Sequence, residues 1–280
     1  MRVQAGDVRL FFDVEGSKLV PEGPVMRERP TVVLLHGGPG VDHTELLPFG
    51  SALAEVAQVV YLDHRGCGRS DRSGPERWNL ETWADDVRAF CDALEIQRPV
   101  VFGHSFGGMV AQAYAARYPD HPGKLILSST TARLRLDRML PVFARLGGAE
   151  AADIARRFYA DPMPNFNDYI RVCLPLYRQS PPDEGAFQHA VIHLDVGGHF
   201  VAGEMQTYDL RAELARVRCP TLVLSGDLDP FATVEDAREL VAALPRELVQ
   251  ARPFPRAGHA VLDDARAEAL ASVREFLSAP

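Results

Sequence analysis

No uninterrupted apolar run in the 280 residues approaches the roughly 20 that a membrane-spanning helix requires. A basic-then-apolar leader is also missing after Met1, so a soluble cytoplasmic protein is the expectation. Positive charge is in short supply: 30 lysines and arginines stand against 38 aspartates and glutamates, a formal net charge of −8. That balance argues against general affinity for nucleic acid or an anionic membrane, and leaves a small molecule or short peptide as the expected partner. Cysteine is sparse. Cys67, Cys91, Cys173 and Cys219 lie far apart with no CxxC spacing, which excludes the usual zinc and redox motifs and makes them reduced thiols filling a core. There is no internal repeat and no low-complexity linker, and 46% apolar side chains suffice for one substantial core, or for a core domain with an insertion.

What is present is an alternation of short apolar runs with longer helical patterns, the signature of a mostly parallel sheet flanked by crossover helices, hence an α/β class. The runs are Thr31–His36, Val59–Asp63, Val100–His104, Lys124–Ser129 and Thr221–Gly226, nearly continuous in apolar residues as strands covered on both faces must be. Val8 to Glu15 alternates instead and reads as an antiparallel edge. After Asn79, a candidate N-cap, Leu80, Trp83, Val87, Phe90, Cys91 and Leu94 trace one helical face. The strand–helix rhythm stops over 131–205, which is rich in arginine, proline and aromatics. This stretch reads as a helical cap inserted into a core formed by 1–130 and 206–280.

The strongest local signal is Gly103-His104-Ser105-Phe106-Gly107-Gly108, set directly after a strand and before the helical run Met109 to Tyr118. This is a G-x-S-x-G nucleophile elbow in its proper context, and it makes Ser105 the candidate nucleophile of an α/β-hydrolase fold. A serine hydroxyl is weakly nucleophilic until a base removes its proton and a third group fixes the base's tautomer. In this fold the chain order is serine, acid, histidine. Asp229, in the loop after Leu222-Val-Leu-Ser-Gly, is the favoured acid, with Asp227 as competitor. His259, in Ala257-Gly-His-Ala260 before the last helix, is the candidate base. Two amides should receive the oxyanion: that of Phe106, and one from His36-Gly-Gly-Pro-Gly40, with Gly38 the preferred donor and Gly37 a substrate-binding candidate. The His189/His193 pair has metal-ligand spacing but no supporting carboxylate motif, so no metal or organic cofactor is expected.

With these residues in place, the sequence resembles the proline iminopeptidase family of α/β-hydrolases, through His-Gly-Gly-Pro-Gly at 36–40 and Asp63-His-Arg-Gly-Cys-Gly-Arg-Ser70. The resemblance implies a serine hydrolase that releases an N-terminal residue and holds the substrate's amino group with acidic side chains. Three positions depart from the family pattern: His64 replaces a usual glutamine, Phe106 a frequent tryptophan or tyrosine, and Pro230 the glutamate that often follows the catalytic aspartate. Glu204 is then the leading candidate for an ammonium partner and Glu184 the next. A carboxylesterase or lactonase without aminopeptidase activity is the alternative. A ligand receptor or lyase on the same scaffold is the alternative of a different class.

Overall fold

Every residue of Thr31–Leu35 and of Val100–His104 is buried. A computed structural model, which describes residues 1–181 and 188–279, sets these two strands side by side within an eight-stranded sheet. In chain order the strands are β1 (Arg2–Ala5), β2 (Val8–Glu15), β3 (Leu19–Glu22), β4 (Val25–Glu28), β5 (Thr31–Leu35), β6 (Gln58–Leu62), β7 (Val100–His104), β8 (Lys124–Ser128), β9 (Thr221–Gly226) and β10 (Val249–Phe254). The helices are α1 (Leu47–Leu53), α2 (Leu80–Ala93), α3 (Phe106–Arg117), α4 (Leu136–Ala160), α5 (Pro162–Asp168), α6 (Leu194–Ala202), α7 (Arg211–Leu214), α8 (Val234–Ala243), α9 (Val261–Asp264) and α10 (Arg266–Ser278). Sheet order is β1-β2-β6-β5-β7-β8-β9-β10, with β3 and β4 pairing apart as a largely exposed hairpin. The six strands from β6 across to β10 run parallel, and β1 and β2 are antiparallel additions.

Alternate side chains of a strand serve opposite layers. On β5, Val33 and Leu35 join Trp83, Val87 and Phe90 of α2 and Met109 and Val110 of α3 on one side. Val32 and Leu34 join Phe49 and Leu53 of α1 and Val273 and Phe276 of α10 on the other. Helix α2 starts where its cap dictates, with Asn79 Oδ1 accepting from the Thr82 amide at 2.8 Å.

Two sequence expectations need correction. Val8 to Glu15 is antiparallel but lies one strand in from the edge, because Arg2–Ala5 folds back beside it through a turn in which Gly6 takes φ +59°. Four residues are too few to display an alternation. Three of the apolar runs also overshoot: His36, Asp63 and Ser129 fall just beyond their strands, in loops at the carboxyl edge of the sheet, where ligands of open α/β sheets bind.

Between β8 and β9 the described residues form helices and no named strand. The exit and return of this segment touch: Arg133 bridges Asp209, and the Leu210 amide donates to Ala132 O at 2.9 Å. Salt bridges hold it to α8, Arg133 to Glu239 at 2.6 Å and Arg138 to Asp236 at 2.6 Å, while Arg135 pairs with Asp137. These three arginines are thus engaged by the protein's own carboxylates.

Close packing of α3 on β5 depends on one glycine. A Cβ added at Gly107 would lie 2.1 Å from Leu35 O and 2.5 Å from His36 O, both backbone atoms that cannot swing aside. Gly107→Ala is therefore expected to destabilise the fold by about 3 kcal/mol, the upper end for overpacking. A lowered urea midpoint at unchanged slope is the expected reading; an unchanged midpoint would mean that the contact is looser than described.

Candidate active site

Ser105 joins β7 to α3 at φ 53° and ψ −117°, a region that costs a non-glycine residue on the order of 1–3 kcal/mol. The surroundings force it there. Its amide donates to Ser128 O at 2.9 Å, and a Cβ at Gly103 would meet Gly107 O at 2.3 Å, so only glycines allow the turn to close this tightly. The result lifts the serine side chain out at the carboxyl edge of the sheet, half-buried and accessible.

His259 arrives on the loop after β10. Its Nε2 lies 2.8 Å from Ser105 Oγ, and its Nδ1 lies 2.8 Å from Asp229 Oδ2. Asp229 is 1% exposed, and its Oδ1 accepts the amides of Phe231 at 2.8 Å and Ala232 at 3.0 Å, so that all of its charge is spent inside the site. Asp227 is exposed, and its amide donates to Phe254 O. The histidine loop is pinned from two sides. Ala260 N donates to Tyr177 O at 2.9 Å, and Gly258 N donates to Asp264 Oδ2 at 2.8 Å. An arrangement of this kind can take a hydroxyl proton on one ring nitrogen while the carboxylate holds the other ring N–H.

Opposite stands the loop after β5. The amides of Gly38 and Phe106 donate to no acceptor among the described residues, whereas the Gly37 amide donates to Glu45 Oε1 at 2.5 Å. Gly38 and Gly40 adopt φ +46° and +92°, which glycine alone takes without strain. Residues 63–70 brace this loop from below. Gly40 N donates to Cys67 Sγ at 3.3 Å, and His64 N to His36 Nε2 at 3.2 Å. Asp63 Oδ1 accepts from the His43 amide at 3.0 Å and lies 2.6 Å from its Nδ1. Burial holds His36 and His64 below the usual imidazole range. A neutral His36 can therefore donate from Nδ1 to Gly37 O, 2.8 Å away, while Nε2 accepts. The two motifs that carry the family resemblance are thus one hydrogen-bonded unit.

The remaining candidates are dispersed. Glu204 Oε2 accepts the Leu80 amide at 2.8 Å, which spends this carboxylate on the amino end of α2. Glu184 lies outside the described residues. His193 Nε2 lies 3.0 Å from Gly68 O and its Nδ1 2.8 Å from Arg72, and the His199 ring meets Trp78 edge-on. Aromatics from the segment between β8 and β9 crowd His259: the Tyr177 centroid is 4.7 Å from its ring, and the hydroxyls of Tyr159, Tyr169 and Tyr177 bond to one another. Phe231, from the Asp229 loop, meets the same ring edge-on at 5.4 Å. Sequence patterns missed Phe231 and Glu45, since neither stands in a motif; proximity to Asp229 and to the Gly-Gly-Pro-Gly loop was the only signal.

The chain belongs to the α/β-hydrolase fold family, whose model matches residues 30–265, and its fold and relatives make it an enzyme of the hydrolase class. Within that family it is proline iminopeptidase-like. The proline iminopeptidase of Lactobacillus helveticus (strain DPC 4571) is 30% identical over 227 residues, 72% of this chain and 75% of the relative. The crystal structure of proline iminopeptidase from Mycobacterium smegmatis superposes with a TM-score of 0.77 at 23% identity, covering 99% of this chain and 97% of that one. The enol-lactonase from Burkholderia xenovorans LB400 gives a TM-score of 0.70 at 25% identity, with both chains fully covered. Among the described residues no helix is long and apolar enough to cross a membrane.

Proposed function

We propose that the protein is a serine hydrolase that cleaves a small amide or ester through an acyl-enzyme, in the manner of a proline iminopeptidase releasing an N-terminal residue. Ser105 attacks the carbonyl, His259 takes its proton and returns it to the leaving group, and Asp229 holds the imidazole. Water then repeats the sequence on the acyl-enzyme. The amides of Gly38 and Phe106 receive the oxyanion, each worth roughly 3–4 kcal/mol of barrier. The observation that carries this reading is the unbroken hydrogen-bonded series Ser105–His259–Asp229, joined by the Gly38 and Phe106 amides that have no acceptor among the described residues. Residues 131–205 act as the cap that shapes the acyl pocket, with Tyr177 as its wall beside His259.

An esterase or lactonase is the second reading, favoured by Pro230 beside Asp229 and by the commitment of Glu204 to α2. Prolyl- and alanyl-naphthylamides, the same compounds blocked at the amino group, and p-nitrophenyl acetate and butyrate separate the two. Turnover concentrated on free-amine amides is the expected result. Activity confined to the esters would retire the aminopeptidase and install the second reading. Covalent labelling by a fluorophosphonate, mapped to Ser105, is expected in either case.

A further inference from the structure

Around the site the carboxyl groups of Asp42, Asp63, Asp229 and Asp263 each face an arginine or histidine. Asp264 accepts backbone amides from Gln179, Ser180 and Gly258. Glu45 is different. Its Oε1 takes the Gly37 amide at 2.5 Å, and among the described residues its Oε2 hydrogen-bonds to nothing and no cation lies within ion-pair distance. Yet it stands at the nucleophile: a Cβ placed on Gly37 would meet Glu45 Oε1 at 2.6 Å, Ser105 Cβ at 3.1 Å and His104 Cδ2 at 3.2 Å. Carboxyl and serine therefore both crowd the Gly37 α-carbon, close enough that only a glycine fits between them. Burial pushes this half-buried carboxyl up to about 7, against the opposing pull of the Gly37 amide.

We infer that Glu45 determines specificity, its open oxygen receiving a cationic, hydrogen-donating group, such as a free ammonium, borne by the acyl moiety beside the scissile carbonyl. The inference rests on the acyl-transfer reading above. An ionised Glu45, bound to the amide of Gly37 next to Gly38, opposes the negative charge that develops in the transition state. A substrate cation lying between the two cancels that opposition and gains a charge-assisted hydrogen bond. Discrimination should thus appear in kcat/KM and not in KM alone.

The p-nitrophenyl esters of alanine and of propionic acid differ only in the amine and test this directly. Wild-type protein is expected to favour the alanine ester. In Glu45→Gln, whose carbonyl still accepts from Gly37, the ratio of the two kcat/KM values should fall by roughly 10- to 100-fold, the worth of one hydrogen bond to a charged group. Glu45→Asp should recover part of it. A ratio unchanged in Glu45→Gln, or no preference for the amine in the wild type, overturns the inference while leaving the mechanism standing. The mechanism itself is monitored separately, since a neutral fluorophosphonate should label Ser105 of the wild type whatever the role of Glu45; absence of both labelling and ester turnover in the wild type would remove the acyl-transfer reading instead.

Discussion

Ser105→Ala will lower kcat by about 10⁴-fold or more and abolish fluorophosphonate labelling. The unfolding midpoint should barely move, because alanine at this position bears the same φ of 53° and loses only an Oγ whose sole partner among the described residues is His259 Nε2. Any residual rate should come from the proposed oxyanion donors Gly38 and Phe106 and from substrate binding, which in enzymes of this design leave roughly 10³–10⁴-fold over water once the nucleophile is gone. The variant also separates covalent catalysis from general-base attack by water. Near-normal turnover would mean that His259 activates water directly, and no acyl-enzyme would then need to form.

What could be read before the fold was known follows the range of the interactions involved. The elbow is local: strand, strained serine and helix follow one another within a few residues, and the clashes that demand Gly103 and Gly107 are with near neighbours of the same turn or the adjacent strand. Strands β5 and β7 were legible because burial on both faces leaves an unbroken apolar run. The choice between Asp229 and Asp227 is not local. Two carboxylates two residues apart on one loop are separated only by where the amides of Phe231 and Ala232 turn, and by which of them the protein buries. Glu45 was invisible for the same reason. Nothing about a glutamate in a short helical turn says that its carboxyl will close onto Gly37, a contact made by the folding of the whole loop upon residues 63–70. Glu204 shows the reverse: a carboxylate suggested by its place in the chain has a nearer use at the start of α2.

Asp229→Asn should be nearly as damaging as loss of the nucleophile, with kcat falling by about 10⁴-fold. The reason lies in the tautomer. In the native site Asp229 Oδ1 accepts two backbone amides, so an asparagine there must keep its carbonyl oxygen toward Phe231 and Ala232 to avoid leaving buried donors unpaired. Its NH₂ group is thereby turned toward His259 Nδ1, which must now accept. The ring proton moves to Nε2, where it points at Ser105 Oγ across 2.8 Å and occupies the lone pair that should receive the serine's proton. Nitrogen-15 chemical shifts of the His259 ring should report Nδ1–H in the wild type and Nε2–H in the variant, with the protein otherwise folded. Asp227→Asn, at an exposed position, should change kcat by less than about 2-fold. If the two variants exchange behaviours, with Asp227→Asn the inactive one, then the carboxylate that orients the base is the other aspartate, and the hydrogen bond at 2.8 Å between Asp229 and His259 is not the one used in turnover.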